Sequence, residues 1–207
     1  MEIQMARRLS RLSRTPATRS FIRQIHIYTE GCVTEAEYLT ILKNELDSKF
    51  SCRNKFKIKI KPSKGKSSPK NIHNTIKREL KDFEETNSHE IWVLIDKDNW
   101  PQGDIDNLKK DSSISRKVSK FHVLVSDPKF ELWLILHFEN GNGIATATEI
   151  DQRLKGYMRD YDKHCNPDLF NLTKIQQAST NAKNLSKGNG NVCTDVYILI
   201  DHLLSLV

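Results

Sequence analysis

The chain is short of cysteine: there are four in 207 residues, Cys32, Cys52, Cys165 and Cys193. They are scattered, with no Cys-x-x-Cys pair, which excludes a zinc ribbon and a thioredoxin-type redox site. Nothing marks the chain for export, so they read as free thiols, mostly buried. Long apolar runs are also missing. No stretch approaches the roughly 18 residues needed to span a bilayer, and no charged segment leads into a signal-peptide apolar core. A soluble, cytoplasmic protein with no membrane partner is expected. Acids are in deficit, 26 Asp and Glu against 33 Lys and Arg, for a formal net charge of +7. That balance favours a polyanionic partner, although charge alone does not separate nucleic acid from an anionic surface. Internal repeats are absent, and the length suits one domain with a core, or one domain with a helical annex.

What the chain does have is a set of short apolar runs that stop at acids. Ile25-His26-Ile27-Tyr28-Thr29 ends at Glu30-Gly31, Ile91-Trp92-Val93-Leu94-Ile95 ends at Asp96-Lys97-Asp98, and Phe121-His122-Val123-Leu124-Val125 ends at Ser126-Asp127-Pro128, with Glu131 just beyond. Each reads as a strand. Helical spacing separates the strands, over Thr34 to Lys49 and over Asn71 to Thr86, where Ile72, Ile76, Leu80 and Phe83 share a face. Strand, helix, strand alternation implies right-handed crossovers and a largely parallel sheet. Ligands of such sheets sit outside the carboxyl ends of the strands, so the three groups of acids can converge on one site.

The flanking segments admit more than one reading. Met1 to Ser20 carries five arginines against Glu2; it suits a phosphate-contacting arm, an organelle transit peptide or a solvated extension. Thr34 with Glu37 three residues on makes a capping box, which assigns Glu37 to the helix terminus. Glu35 fits either the first-turn dipole or the site near Glu30. Lys55 to Lys61 alternates strictly and reads as an edge strand with a lysine-studded face. After it, Gly65-Lys66-Ser67 suggests a P-loop, but a P-loop needs glycine at position 60, where this chain has Ile60, so a Walker site is rejected. The loop is then either a basic contact for a nucleic-acid backbone through Lys64, Lys66 and Lys70, or a solvated linker. Asp104 to Lys117 reads as a weak polar helix, with Asp104 and Asp106 as helix-start acids.

Phe130 to Phe138 is the most apolar helix, and apolar residues on every side imply burial on every side. A carboxylate at its start must be paired, protonated or bound to a metal, which singles out Glu131. His137, about two turns further on, reads as a hydrogen-bonded core histidine. Beyond Thr148 three helices and no strand are expected: Glu149 to Lys163, Asp168 to Lys187, and Thr194 to Leu206, with Gly188-Asn189-Gly190-Asn191 as a stop.

Glu30, Asp96 and Asp98, with Glu131 close behind, form a hard-oxygen set of the kind that binds Mg²⁺ or Mn²⁺ together with substrate phosphates. Such a site can activate water for attack on phosphorus, with Glu30 as general base or bridging ligand. Lys97 and Lys129, interleaved with the acids, join Lys64, Lys66 and Lys70 as candidate nucleic-acid contacts.

These residues resemble a known family. Tyr28-Thr29-Glu30-Gly31 with Thr34-Glu35 and Tyr38-Leu39, then Ile95-Asp96-Lys97-Asp98, then Asp127-Pro128-Lys129-Phe130-Glu131-Leu132-Trp133 through His137-Phe138, look like the signature blocks of RloB-like proteins. The late Asn181-Ala182-Lys183 and Asn191-x-x-Thr194 are similar to its C-terminal block. The resemblance covers roughly Gln24 to Val207. It implies an α/β, Toprim-like fold: a mostly parallel sheet of about four strands flanked by helices, over residues 21–145. Before it come the basic arm of 1–20, and after it a helical extension of 146–207 packed on the core. It further implies that Glu30, Asp96 and Asp98 bind Mg²⁺ for phosphodiester chemistry, in a nuclease of antiphage or abortive-infection systems that works with an AAA/ABC-type ATPase. Where family blocks often have a small residue or cysteine after the proline, this chain has Lys129, a departure that bears on substrate contacts. A topoisomerase or primase is disfavoured, because 207 residues leave little room for their other domains. The alternative is a non-catalytic nucleic-acid-binding or regulatory subunit of an ATPase complex, and self-association is left open. A receiver-type phosphotransfer domain would normally carry its acid pair at the first strand, where this chain offers only Glu30.

Overall fold

A computed structural model describes residues 22–50, 55–63, 68–83, 88–97, 100–187 and 192–207. The basic arm of residues 1–20, Cys52, Lys64, Lys66, Asp98 and the stop at 188–191 lie outside the described residues.

The chain runs β1 (Arg23–Thr29), α1 (Thr34–Phe50), β2 (Phe56–Pro62), α2 (Pro69–Glu79), β3 (His89–Asp96), α3 (Gln102–Lys109), α4 (Ser112–Ser115), β4 (Lys120–Asp127), α5 (Glu131–Ile135), α6 (Ala147–Tyr157), α7 (Leu172–Lys187), β5 (Cys193–Thr194) and α8 (Val196–Ser205). The sheet order is β2-β1-β3-β4-β5. The first four strands are parallel, and β5 is antiparallel to β4.

Alternation along the strands divides the core in two. Ile25, Ile27, Trp92, Leu94 and Leu124 face α1, α5, α7 and α8, while Tyr28, Ile91, Val93, Ile95 and Val123 face α2, α3 and α4. Strands β1 and β3 are covered on both faces, as parallel strands between helix layers must be. At the edge, β2 exposes Lys57 and Lys59, the alternation expected from its sequence.

Several elements differ from the sequence reading. The polar helix after Trp100 is broken in two at Asp111, whose carboxylate accepts the Ser113 N–H at 2.7 Å and starts a new turn. The apolar segment from Phe130 is α-helical only over α5 and continues as turns. The helix expected from Glu149 to Lys163 stops at Tyr157. Its real start is Thr146, which forms a capping box with Glu149. Finally, Cys193–Thr194 is a strand: it is too short for periodicity to reveal, and it exists only because β4 supplies partners at Ser126 and Asp127. Of the described cysteines, all free, Cys165 is buried, Cys193 half-buried and Cys32 exposed, so burial is less general than expected.

His137 is the core histidine its sequence context suggested. Its Nδ1 lies 2.9 Å from the Trp133 carbonyl, which can only accept, so Nδ1 carries the proton and Nε2 accepts from the Tyr38 hydroxyl at 3.1 Å. Burial pulls its pKa down to about 4.

Candidate functional site

The parallel register brings the strand ends together. Thr29 lies opposite Leu94 and Asp96 opposite Ser126, so the acids after β1 and at the end of β3 emerge at the same edge of the sheet. Among the donors that orient the Glu30 carboxylate, the Asp96 backbone N–H reaches Oε2 at 3.1 Å and the Trp100 indole N–H reaches Oε1 at 2.7 Å. Ser63, just past β2, donates its hydroxyl to the Glu30 carbonyl at 2.5 Å and its N–H to the Thr29 carbonyl at 3.1 Å. Three strand ends are thereby tied to one residue.

The first turn of α1 adds a second acid. Glu35 Oε1 accepts the Gly31 N–H at 2.8 Å. A Cβ at position 31 would collide with the Glu35 carboxylate, so glycine is what lets this side chain fold back over the β1–α1 turn. Burial pushes the Glu35 carboxyl above the ordinary carboxylate range; the nearby Glu131 charge adds to the rise, while backbone hydrogen bonds and Lys163 oppose it. From the start of α5, Glu131 accepts the Tyr161 hydroxyl at 3.1 Å. Tyr161 lies 3.1 Å from the Thr34 hydroxyl, which donates to the Lys163 carbonyl at 2.9 Å. Lys163 has φ of 80°, a left-handed conformation uncommon for lysine. Glu30, Glu35, Asp96, Glu131 and Lys163 line one cavity of about 340 Å³.

Of the residues singled out in the sequence, Glu30, Asp96 and Glu131 are thus brought together, and Asp98 lies outside the described residues. The end of β4 reaches the cavity through Glu131; Asp127 instead pairs with Lys97 at 2.5 Å. Lys129 pairs with Asp151 at 2.6 Å, and Lys70 is exposed in the first turn of α2. Glu37 is not the capping partner of Thr34. Its carboxylate accepts the Cys165 N–H at 2.9 Å and contacts His164 at 2.7 Å, which ties the 161–165 loop to α1. That long-range demand outcompetes the local motif. Lys163 falls inside the helix that the sequence suggests, and the Asp162-Lys163-His164 polar run before Asn166-Pro167 is the sequence signal that sets it apart.

Among the described residues, no group of three or more His, Cys, Asp and Glu side chains is arranged to hold a metal ion. The cavity offers carboxylates and no imidazole, the donor type that hard divalent cations take.

A mostly parallel five-stranded sheet between helix layers, with acids gathered at its carboxyl edge, defines an α/β protein of Toprim-like build. The family model described as RloB-like protein matches residues 25–203, and the chain belongs to that family. No curated protein and no solved structure matches it. Among the described residues no helix is long and apolar enough to cross a membrane.

Proposed function

We propose that this chain is a metal-dependent nuclease that hydrolyses phosphodiesters of DNA or RNA, the effector of a bacterial antiphage or abortive-infection system with an ATPase partner. The observation that carries the reading is the convergence of Glu30, Glu35, Asp96 and Glu131 on one cavity at the carboxyl edge of the sheet. The defence setting and the ATPase rest on the family resemblance.

Glu30 and Asp96, with Asp98, are the residues that would hold Mg²⁺ or Mn²⁺. A bound ion of this kind supplies charge neutralisation at the phosphate and a more acidic water. The chain's own groups divide the remaining work. The Asp96 N–H and the Trp100 indole keep the Glu30 carboxylate aimed. Glu35 retains a proton to higher pH than an ordinary carboxylate and is the group suited to exchange one with the reacting oxygens. Lys163 is the lysine lining this cavity and presents positive charge to a phosphate there.

The competing reading is a nucleic-acid-binding or regulatory subunit without chemistry of its own, which the formal net charge of +7 suits as well. Labelled DNA and total RNA incubated with the protein in Mg²⁺ or Mn²⁺, with and without the neighbouring ATPase, separate the two. Cleavage that falls at least about 100-fold in both Glu30→Gln and Asp96→Asn, with circular dichroism unchanged, supports the nuclease. Intact polymers in every combination, bound by folded protein, support the subunit.

A further inference from the structure

A second cavity of about 580 Å³ opens between the edge strand β2 and α2. It is separate from the acid cavity except at one residue: Ser63 lines both. One helical face of α2 supplies Asn71, Asn74 and Arg78, spaced three and four residues apart, with Glu79 beside them, and β2 supplies Lys61. The floor is Ile60, Ile72 and the ring of Tyr28. Glu79 Oε2 takes both the Tyr28 hydroxyl, at 2.9 Å, and the Lys61 ammonium. These two contacts leave Glu79 Oε1 with no hydrogen-bond partner among the described residues. Arg78 forms no ion pair there either.

We infer that this groove binds a nucleotide of the substrate strand next to the phosphate held in the acid cavity, so that Ser63 marks the passage from the cleaved linkage to its neighbour. This inference rests on the nuclease reading for the identity of the acid cavity. The chemistry matches a nucleotide in each part. The volume lies within the roughly 300–1,000 Å³ of small-ligand sites, and the floor is apolar under a ring. Two side-chain amides each offer donors and an acceptor to a base edge, and a free carboxylate oxygen accepts from a base N–H. A guanidinium can take a phosphate in two hydrogen bonds. With Lys61 and Arg78 against Glu79, the groove carries one net positive charge.

The test uses the full chain carrying Asp96→Asn, which separates binding from cleavage. Fluorescence anisotropy with short labelled DNA and RNA oligonucleotides is compared with the same protein carrying Asn74→Ala or Arg78→Ala. Both side chains are exposed on α2, so the fold tolerates the changes. The expected result is a loss of affinity of about tenfold for Arg78→Ala, as for one charge-assisted hydrogen bond. Mononucleotides competing with the oligonucleotide would place the base in the groove. In the cleaving protein, the same substitutions raise KM more than they lower kcat and shift the preferred cut sites. Equal affinity and an unchanged cut pattern in both variants overturn the groove and leave the nuclease standing. Groove-dependent binding by a protein that never cleaves overturns the nuclease reading instead. A protein that neither binds nor cleaves ends both.

Discussion

The end of the sheet opposite the acids holds a buried charge whose removal can be worked through quantitatively. Glu90 in β3 is 1% exposed and takes three partners: His202 Nε2 at 2.6 Å, the Trp92 indole N–H at 3.1 Å and Arg23 at 3.4 Å. His202 Nδ1 lies 3.2 Å from the Lys120 ammonium, which can only donate. Nδ1 therefore accepts, Nε2 carries the proton, and the proton points at Glu90. The His202 ring also stacks on Trp92, with centroids 5.0 Å apart. His202→Ala strips a hydrogen bond to a buried carboxylate, about 1.5–3 kcal/mol, and a ring contact of about 0.5–1.5 kcal/mol. Trp92 and Arg23 remain, so the loss stays below that of a fully orphaned charge. The expected cost is roughly 2–4 kcal/mol, or about 5–15 °C in Tm for a chain of this size. Thermal and urea unfolding of the wild type, Glu90→Gln, His202→Ala and the double variant measures it. A coupling of at least about 1 kcal/mol should appear in the cycle. Burial raises the Glu90 carboxyl, but the hydrogen bonds from His202 and Trp92 outweigh it and hold the group below its ordinary range. A depressed folded pKa contributes stability that is present above the unfolded value and lost as pH falls through the folded one, so the gap between wild type and His202→Ala should narrow under acid. A loss under 0.5 kcal/mol, or strict additivity, would refute the reasoning.

Two further outcomes concern protons. Glu35, with its carboxyl raised by burial and by Glu131, contributes stability that is present below the unfolded carboxyl value and lost as pH rises through the folded one. Glu35→Gln keeps an acceptor for the Gly31 N–H and removes the charge. It should raise Tm at pH 8 by a gain on the order of 1 kcal/mol while lowering cleavage, with the gain vanishing near pH 4; a lower Tm at pH 8 would show that the charge is stabilising. His26 and His137 are both buried neutral, with burial the largest cause and pKa values lowered to about 3 and about 4. Each binds its proton only on unfolding between pH 6.5 and its folded value, so stability should fall as pH drops through that window, by up to about 1.4 kcal/mol per pH unit per group. Phenylalanine at position 26 should flatten the fall, and a slope unaffected by that change would point to other groups.

The division between what could be read and what had to be folded is visible in particular residues. Short apolar runs revealed β1, β3 and β4, strict alternation revealed β2, and the acids that stop β1 and β3 marked Glu30 and Asp96, while Glu131 stood out as a carboxylate at the start of an apolar helix. The lysine alternation of β2 announced an edge, where charged side chains discourage further pairing, and β2 is the edge strand. The capping motif at Thr34 and Glu37 misled because it is a local statement. Its carboxylate is used by a loop 127 residues away in sequence at His164, and Gly31 gives the closing role to Glu35.

The sequence by itself determined the parallel α/β plan, its two-sided core and the acids at the strand ends, all consequences of periodicity and of the cost of burying charge. Tertiary structure alone decided the rest: that β5 exists, that Lys163 and Glu35 line one cavity, and that Ser63 lines both that cavity and the groove along α2. Such pairings bring together residues from separate elements, and no local spacing encodes a meeting that only the register of the strands and the packing of the helices create.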